Sequence, residues 1–226
     1  MRRKYKLIII ILLSAVFTYL IYILNKETKI NILSLGDGVS YGETSFNIKG
    51  FSYNDYITKH FETLKVLKNY TNLSKKNLTL EELLFEIKDN KYYDNEKKYI
   101  KELMHNSNLI TISIGEEELT KKAITKDLNK ETIKKYINLY ENLISLIKEN
   151  TDSKIVVISY YENNYLNKTN TILLNSELSN LCIKHNLIFI NISDILKEND
   201  NKLEPNSLYF NYQVHKQIAE MIINSI

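Results

Sequence analysis

The sequence predicts a three-layer α/β/α sandwich on a parallel sheet, preceded by one membrane-spanning helix. Three observations predict this. Short runs rich in Ile, Leu and Val alternate with longer stretches of helical periodicity. Those runs are apolar at nearly every position, as strands covered on both faces must be. Residues 7–24, LIIIILLSAVFTYLIYIL, carry no charge at all.

The apolar segment comes first in the chain. Its length is at the lower end of what crosses a bilayer as a helix, and lipid offers no partner for an open backbone group. The flank MRRKYK is basic, and basic flanks stay cytoplasmic. The remainder of the chain is then extracytoplasmic. A cleaved signal peptide is the competing reading. Against it, the exit TYLIYILNKETK is bulky, with no small-x-small site, and no Cys follows that could carry a lipid. The sequence thus divides into residues 1–28, a cytoplasmic flank and signal anchor, and residues 29–226, one extracytoplasmic domain.

Within that domain five strands are predicted: Ile30–Gly36, Leu64–Tyr70, Leu109–Gly115, Lys154–Tyr161 and Leu187–Ser193. Helical patterns separate them. One opens at Ser52, a good N-cap. A second opens at Thr79 with Glu82 three residues on, the capping-box spacing. A third places Ile133, Ile137, Tyr140, Ile144 and Ile147 on one face. A fourth, TNTILLNSELSNLCIKHN, precedes the last strand, and YQVHKQIAEMIINSI closes the chain. Strand–helix alternation implies right-handed crossovers, and ligands of such folds bind beyond the carboxyl ends of the strands.

Composition narrows the function classes. Asn, Lys, Ile and Tyr abound while Trp is absent and Pro occurs once, a bias that predicts a bacterial source. The net charge is +3, and Arg2, Arg3, Lys4 and Lys6 lie ahead of the apolar segment. Subtracting these four leaves −1 for the rest, which gives no reason to expect nucleic acid. Cys182 is the only cysteine, so no intrachain disulfide forms; it is expected in the core. No cofactor is indicated, and no His/Cys/Asp spacing resembles a metal site.

SLGDGVSYGE (Ser34–Glu43) follows the first strand directly. It resembles the first block of the SGNH/GDSL hydrolases, Gly-Asp-Ser-Leu-Thr-Tyr-Gly, with Gly36, Asp37, Tyr41 and Gly42 matching. ITISIGEEEL (Ile110–Leu119) is similar to the third block, Gly-x-Asn-Asp. NSLYFNYQVHKQIAEMI (Asn206–Ile222) is similar to the last, Asp-x-x-His-Pro-Asn with its helix. The resemblance spans residues 29–226 and implies a five-stranded, flavodoxin-like sheet.

The catalytic positions depart from the pattern. Gly38 stands at the serine nucleophile. Glu117 stands at the oxyanion-binding asparagine, where a carboxylate would repel the developing charge. Asn206 and Tyr209 stand at the aspartate and histidine, and tyrosine is a poor base at neutral pH. The second block maps to Asn72–Leu84, with Lys75 or a neighbour at the oxyanion-hole glycine.

Among replacements, Ser40 is more simply a capping or packing hydroxyl. His215 is expected on the surface of the last helix, and His60, His105 and His185 have no positional link to the site. The run Glu116–Glu118 reads as solvated, though its place after a strand aims it at the cleft. The sequence therefore predicts a binding or scaffolding module of the bacterial envelope that has lost hydrolase chemistry. The alternatives are an active esterase or deacetylase on envelope carbohydrate with relocated residues, and a purely structural envelope protein. The expected partners are the membrane and a cell-wall glycan or envelope protein. The residues expected to bind are Asp37, Ser40, Tyr41, Glu116, Glu117, Tyr160 and Tyr209, with Tyr161 beside them.

Overall fold

The structure, a computed structural model, describes residues 12–18, 29–198 and 207–226. Seven strands and ten helices follow in chain order among them. They are α1 (12–18), β1 (Ile30–Gly36), α2 (Gly38–Tyr41), α3 (Tyr53–Thr63), β2 (Leu67–Asn72), α4 (Leu80–Lys88), β3 (Tyr92–Tyr93), β4 (Lys98–Tyr99) and α5 (Ile100–His105). Then come β5 (Leu109–Ser113), α6 (Glu116–Ile124), α7 (Lys130–Glu149), β6 (Lys154–Ile158), α8 (Lys168–His185), β7 (Ile188–Ile190), α9 (Ser193–Glu198) and α10 (Tyr212–Ser225).

Five strands form one parallel sheet in the order β2-β1-β5-β6-β7. This is the flavodoxin-like order, and each predicted strand is present. The edges moved: the second strand begins at Leu67 and not Leu64, and the fourth ends at Ile158 and not Tyr161. In the second case Ser159 still donates to the Ile190 carbonyl at 2.9 Å, and Asn175 then takes over the backbone of Tyr160 by accepting from its N–H and donating to its C=O.

Alternation along the strands separates two cores. Leu33, Leu35, Ile110, Ile112, Ile155 and Val157 point to one face, covered by α4, α5, α7 and α8. Ile32, Leu109, Val156 and Ile158 point to the other, covered by α3 and α10. The predicted face of α7 is buried at all five positions. Both predicted N-caps close full capping boxes, Ser52 with Asp55 and Thr79 with Glu82; each is worth about 1 kcal/mol. Cys182 is buried, and burial pushes its thiol up to about 12.

The predicted anchor, residues 7–24, lies largely outside the described residues. Its part within α1 is helical and exposed at Leu12, Leu13, Val16 and Phe17. Among the described residues no helix is long and apolar enough to cross a membrane.

Candidate functional site

The loops after β1, β2 and β5 meet the start of α10 at the carboxyl edge of the sheet. The turn after β1 is organised by Asp37. Its side chain caps α2, accepting from the Val39 amide at 3.2 Å. Its other oxygen accepts from the amides of Gly115 (2.9 Å) and Glu117 (3.4 Å), which ties the β1 loop to the β5 loop. Asp37 is wholly buried. Burial, then the nearby Glu117 charge, push its carboxyl up to about 7, against the pull of those backbone donors.

Gly115 opens α6 with φ 103, a left-handed conformation that favours glycine. A Cβ there would also stand 1.7 Å from the Tyr136 hydroxyl. This turn sends Glu116 and Glu117 back into the site. Both are 3 % exposed, so the expected solvated run is corrected at these two positions. A helix starts here, and acidic side chains in a first turn are electrostatically favoured.

Glu117 occupies the centre. Its Oε2 accepts from the Gly38 amide (3.2 Å) and the Asn77 amide (2.5 Å). Its Oε1 accepts from the Tyr209 hydroxyl at 2.5 Å. The three substituted positions, Gly38, Glu117 and Tyr209, are therefore in mutual contact; Asn206 lies outside the described residues. The second-block amide comes from Asn77, two residues beyond Lys75. Asn77 has φ 59, the left-handed region where glycine is usual and asparagine is tolerated. Nothing in the sequence marked it apart from its place in the block.

This packing leaves little room for a side chain at 38. A Cβ there would lie 2.6 Å from Glu117 Oε1 and 2.9 Å from Tyr209 Cε1. Tyr209 is 7 % exposed, and burial together with its bond to Glu117 raises its hydroxyl above the ordinary tyrosine value. It donates a proton in a hydrogen bond and is poorly placed to accept one.

Ser40 is fully buried in a cluster of hydroxyls and one amide. Its Oγ lies 2.9 Å from Ser34 Oγ, 3.0 Å from Tyr53 Oη, 3.0 Å from Ser74 Oγ and 3.1 Å from Asn54 Nδ2. Asn54 in turn accepts from Thr111 Oγ1 at 2.6 Å. This network locks α3 onto β1 and β5, the packing role expected of Ser40. It removes Ser40 from any cleft.

His215 corrects the expectation of a surface histidine. It is 3 % exposed, and its Nδ1 accepts from the Tyr53 amide at 3.2 Å. Burial pushes it down to about 4, so it is neutral. The residue sits on the face of α10 that packs on α3, which the helical period could have revealed.

The expected tyrosine lining is also corrected. Tyr160 and Tyr161 are 3 % and 2 % exposed. Tyr160 donates to the Ile114 carbonyl at 3.1 Å, and Tyr161 donates to the Leu208 carbonyl. Tyr160 packs in one core beside Tyr136, and Tyr161 in the other beside Phe210. Glu116 is buried beside them. Burial, then the Asp37 charge, raise its carboxyl well above the ordinary range, and its Oε1 accepts from Asn163 at 2.8 Å. Tyr41 is half-buried beneath the Lys49 ammonium, 5.5 Å from its ring centre.

The open space lies to one side. A cleft of about 340 Å³ is lined by Thr44, Ser45, Asn47, Asn163, Asn164, Tyr165, Ser207, Leu208 and Tyr209. Of the residues expected to bind, only Tyr209 lines it. Tyr165 is 57 % exposed. Among the described residues no three His, Cys, Asp or Glu side chains gather as a metal site.

This flavodoxin-like sheet, with these loops converging at its carboxyl edge, fits the SGNH hydrolase fold, and likeness to solved structures shows that the chain has it. The chain matches a lipase/acylhydrolase from Enterococcus faecalis at 17 % identity and TM-score 0.64, covering 87 % of this chain and 95 % of that one. It matches a protein described as a GDSL-like lipase from Parabacteroides merdae at 16 % identity and TM-score 0.67, covering 89 % and 97 %. It also matches a catalytic mutant of an acetylxylan esterase from Geobacillus stearothermophilus at 15 % identity and TM-score 0.66, covering 87 % and 94 %. No family model matches the sequence, and no curated protein does.

Proposed function

We propose that this chain is a non-hydrolytic SGNH-fold domain, acting as a binding or scaffolding module on the outer face of a bacterial membrane. One observation carries the loss of chemistry. The Gly38 and Asn77 amides, the donors available to an oxyanion, are taken by the chain's own Glu117 carboxylate. A substrate carbonyl brought there would meet a negative charge where acyl transfer needs positive potential. No nucleophile stands at Gly38, and the Tyr209 hydroxyl is already donating.

Binding is assigned to the open cleft beside Tyr209. Its volume falls within the range of small-ligand sites. Among the described residues its lining is hydroxyls, amides, aromatic faces and Leu208, with no charged side chain. Such a surface suits a neutral polyhydroxyl ligand, whose rings stack on tyrosine while hydroxyls bond to amides. Envelope glycan is the ligand of that chemistry outside a bacterial membrane. The apolar, basic-flanked N-terminal segment supports the location. In that arrangement the anchor joins β1 at its amino end, and the cleft lies at the opposite, carboxyl edge of the sheet.

The test is direct. The purified domain should neither hydrolyse short acyl esters nor label with a serine-directed fluorophosphonate. Robust turnover abolished by Ser40→Ala would instead establish a relocated nucleophile and favour the esterase reading.

A further inference from the structure

Glu117 does more than block a hole. Its carboxylate is held as a bound ligand is held. Two backbone amides from separate loops converge on one oxygen, Gly38 at 3.2 Å and Asn77 at 2.5 Å. A hydroxyl from a third segment, Tyr209, donates to the other oxygen at 2.5 Å. All three donors come from outside α6, the helix that carries Glu117. Glu117 is 3 % exposed, and a Cβ at Gly38 would stand 2.6 Å from its Oε1.

We infer that Gly38, Asn77 and Tyr209 form a carboxylate-binding site whose resident ligand is the tethered side chain of Glu117. The site's chemistry is that of a small monocarboxylate. Fixed amides form charge-assisted hydrogen bonds to one oxygen, a neutral hydroxyl satisfies the other, and no cationic side chain is among the three donors. The donors are positioned by the fold and not by Glu117. Asn77 holds its left-handed conformation next to the Lys75 amide bond to the Gly36 carbonyl (3.1 Å), which fixes the β2 loop on the β1 loop. Gly38 is fixed by the Asp37 cap and by the Gly42 and Glu43 amides, which donate to its carbonyl at 3.0 and 2.8 Å. The donors should therefore persist when the ligand is cut away.

The tether makes a specific prediction about size. Glu117→Ala removes the methylene and carboxylate beyond Cβ, the same heavy atoms that make up acetate. Free acetate should then occupy the vacated position, whereas in the native chain it has nowhere to go. The inference rests on the geometry of these three donors and is independent of what the open cleft binds.

Thermal unfolding of the full chain in acetate and in chloride at matched ionic strength tests it. The Glu117→Ala variant should gain stability with the logarithm of acetate concentration, as a ligand for the folded state alone does. The native protein and Glu117→Gln, in which the side-chain oxygen still faces the amides, should show no difference between the salts. In the variant, acetate should shift the Gly38 and Asn77 amide proton resonances before others. Propionate, one carbon longer, should act more weakly. If Glu117→Ala does not fold in chloride, recovery of folding in acetate is the expected result. Equal responses in native and variant proteins, unmoved Gly38 and Asn77 resonances, or no recovery by acetate while Glu117→Gln folds would each overturn the inference. A hydrolytic native protein would overturn the proposed function and leave this result standing.

Discussion

The Tyr209 hydroxyl donates to Glu117 Oε1 at 2.5 Å, across 92 residues of sequence. This bond joins the first turn of α6 to the segment leading into α10. Through the same carboxylate it also reaches the loops after β1 and β2. Three strand-end loops and the segment before α10 are thus fastened at one point.

Removing the hydroxyl should loosen that point. Tyr209→Phe leaves Glu117 Oε1 buried without its donor, which costs about 1–3 kcal/mol. Chemical denaturation of the native and variant proteins measures it. Equal midpoints would show that the bond adds nothing to stability.

Restoring a serine at the first-block position should not restore an enzyme. Gly38→Ser places its Cβ against Glu117 Oε1 and the Tyr209 ring, and overpacking of this kind costs about 1–3 kcal/mol. In a Glu117→Ala background the same substitution should cost clearly less, because its nearest obstacle is gone. A double-mutant cycle reads the difference as a coupling energy. Additive effects would mean that Glu117 is not what confines position 38.

The Asp37 carboxyl offers a charge readout. It is pushed up to about 7 by burial first and by the Glu117 charge second. The folded protein therefore holds a proton there that the unfolded chain releases near its ordinary value of 3.8. Stability from this group is full below that value and is lost as pH rises through about 7. Glu117→Gln removes the second cause, so the Asp37 titration should move down and the loss should shrink. Carboxyl carbon NMR titration of both proteins follows it; an unmoved Asp37 would show that burial alone sets the value.

His215 has the opposite sign. Burial pushes it from 6.5 to about 4, so the unfolded chain takes up its proton first on acidification. Its contribution is full above 6.5 and is lost as pH falls toward 4. Protonation would also spend the Nδ1 lone pair that accepts from the Tyr53 amide. His215→Gln should show a flatter stability profile between those two pH values, measured by urea midpoints at each pH.

Ligand binding separates the open cleft from the buried tyrosines. Uncharged glycan oligosaccharides titrated into the domain should bind, and Tyr165→Ala should weaken the binding roughly tenfold, the loss of one stacked ring. Tyr160→Phe should leave it unchanged, since Tyr160 is buried in the core. No binding to any envelope polymer would favour a structural role. The proposed orientation has its own check: protease added to intact protoplasts should digest the domain, and full protection would place it inside.

The sequence by itself determined the sheet and its layers, because strand and helix periods and the capping residues Ser52 and Thr79 act over a few residues. It also shows a glycine at 38 and a tyrosine at 209, whose side-chain chemistry is the same wherever they sit. Only the tertiary structure decided what gathers around them. The run Glu116–Glu118 reads as solvated until the left-handed Gly115 turns it inward, and Asn77 becomes a donor only when the β2 loop closes on the β1 loop. Tyr160 and Tyr161 look available until the two cores take them up, one on each face of the sheet. Side-chain direction after a strand depends on where the ladder stops and which loop packs above it. Those are long-range contacts, which local sequence does not encode.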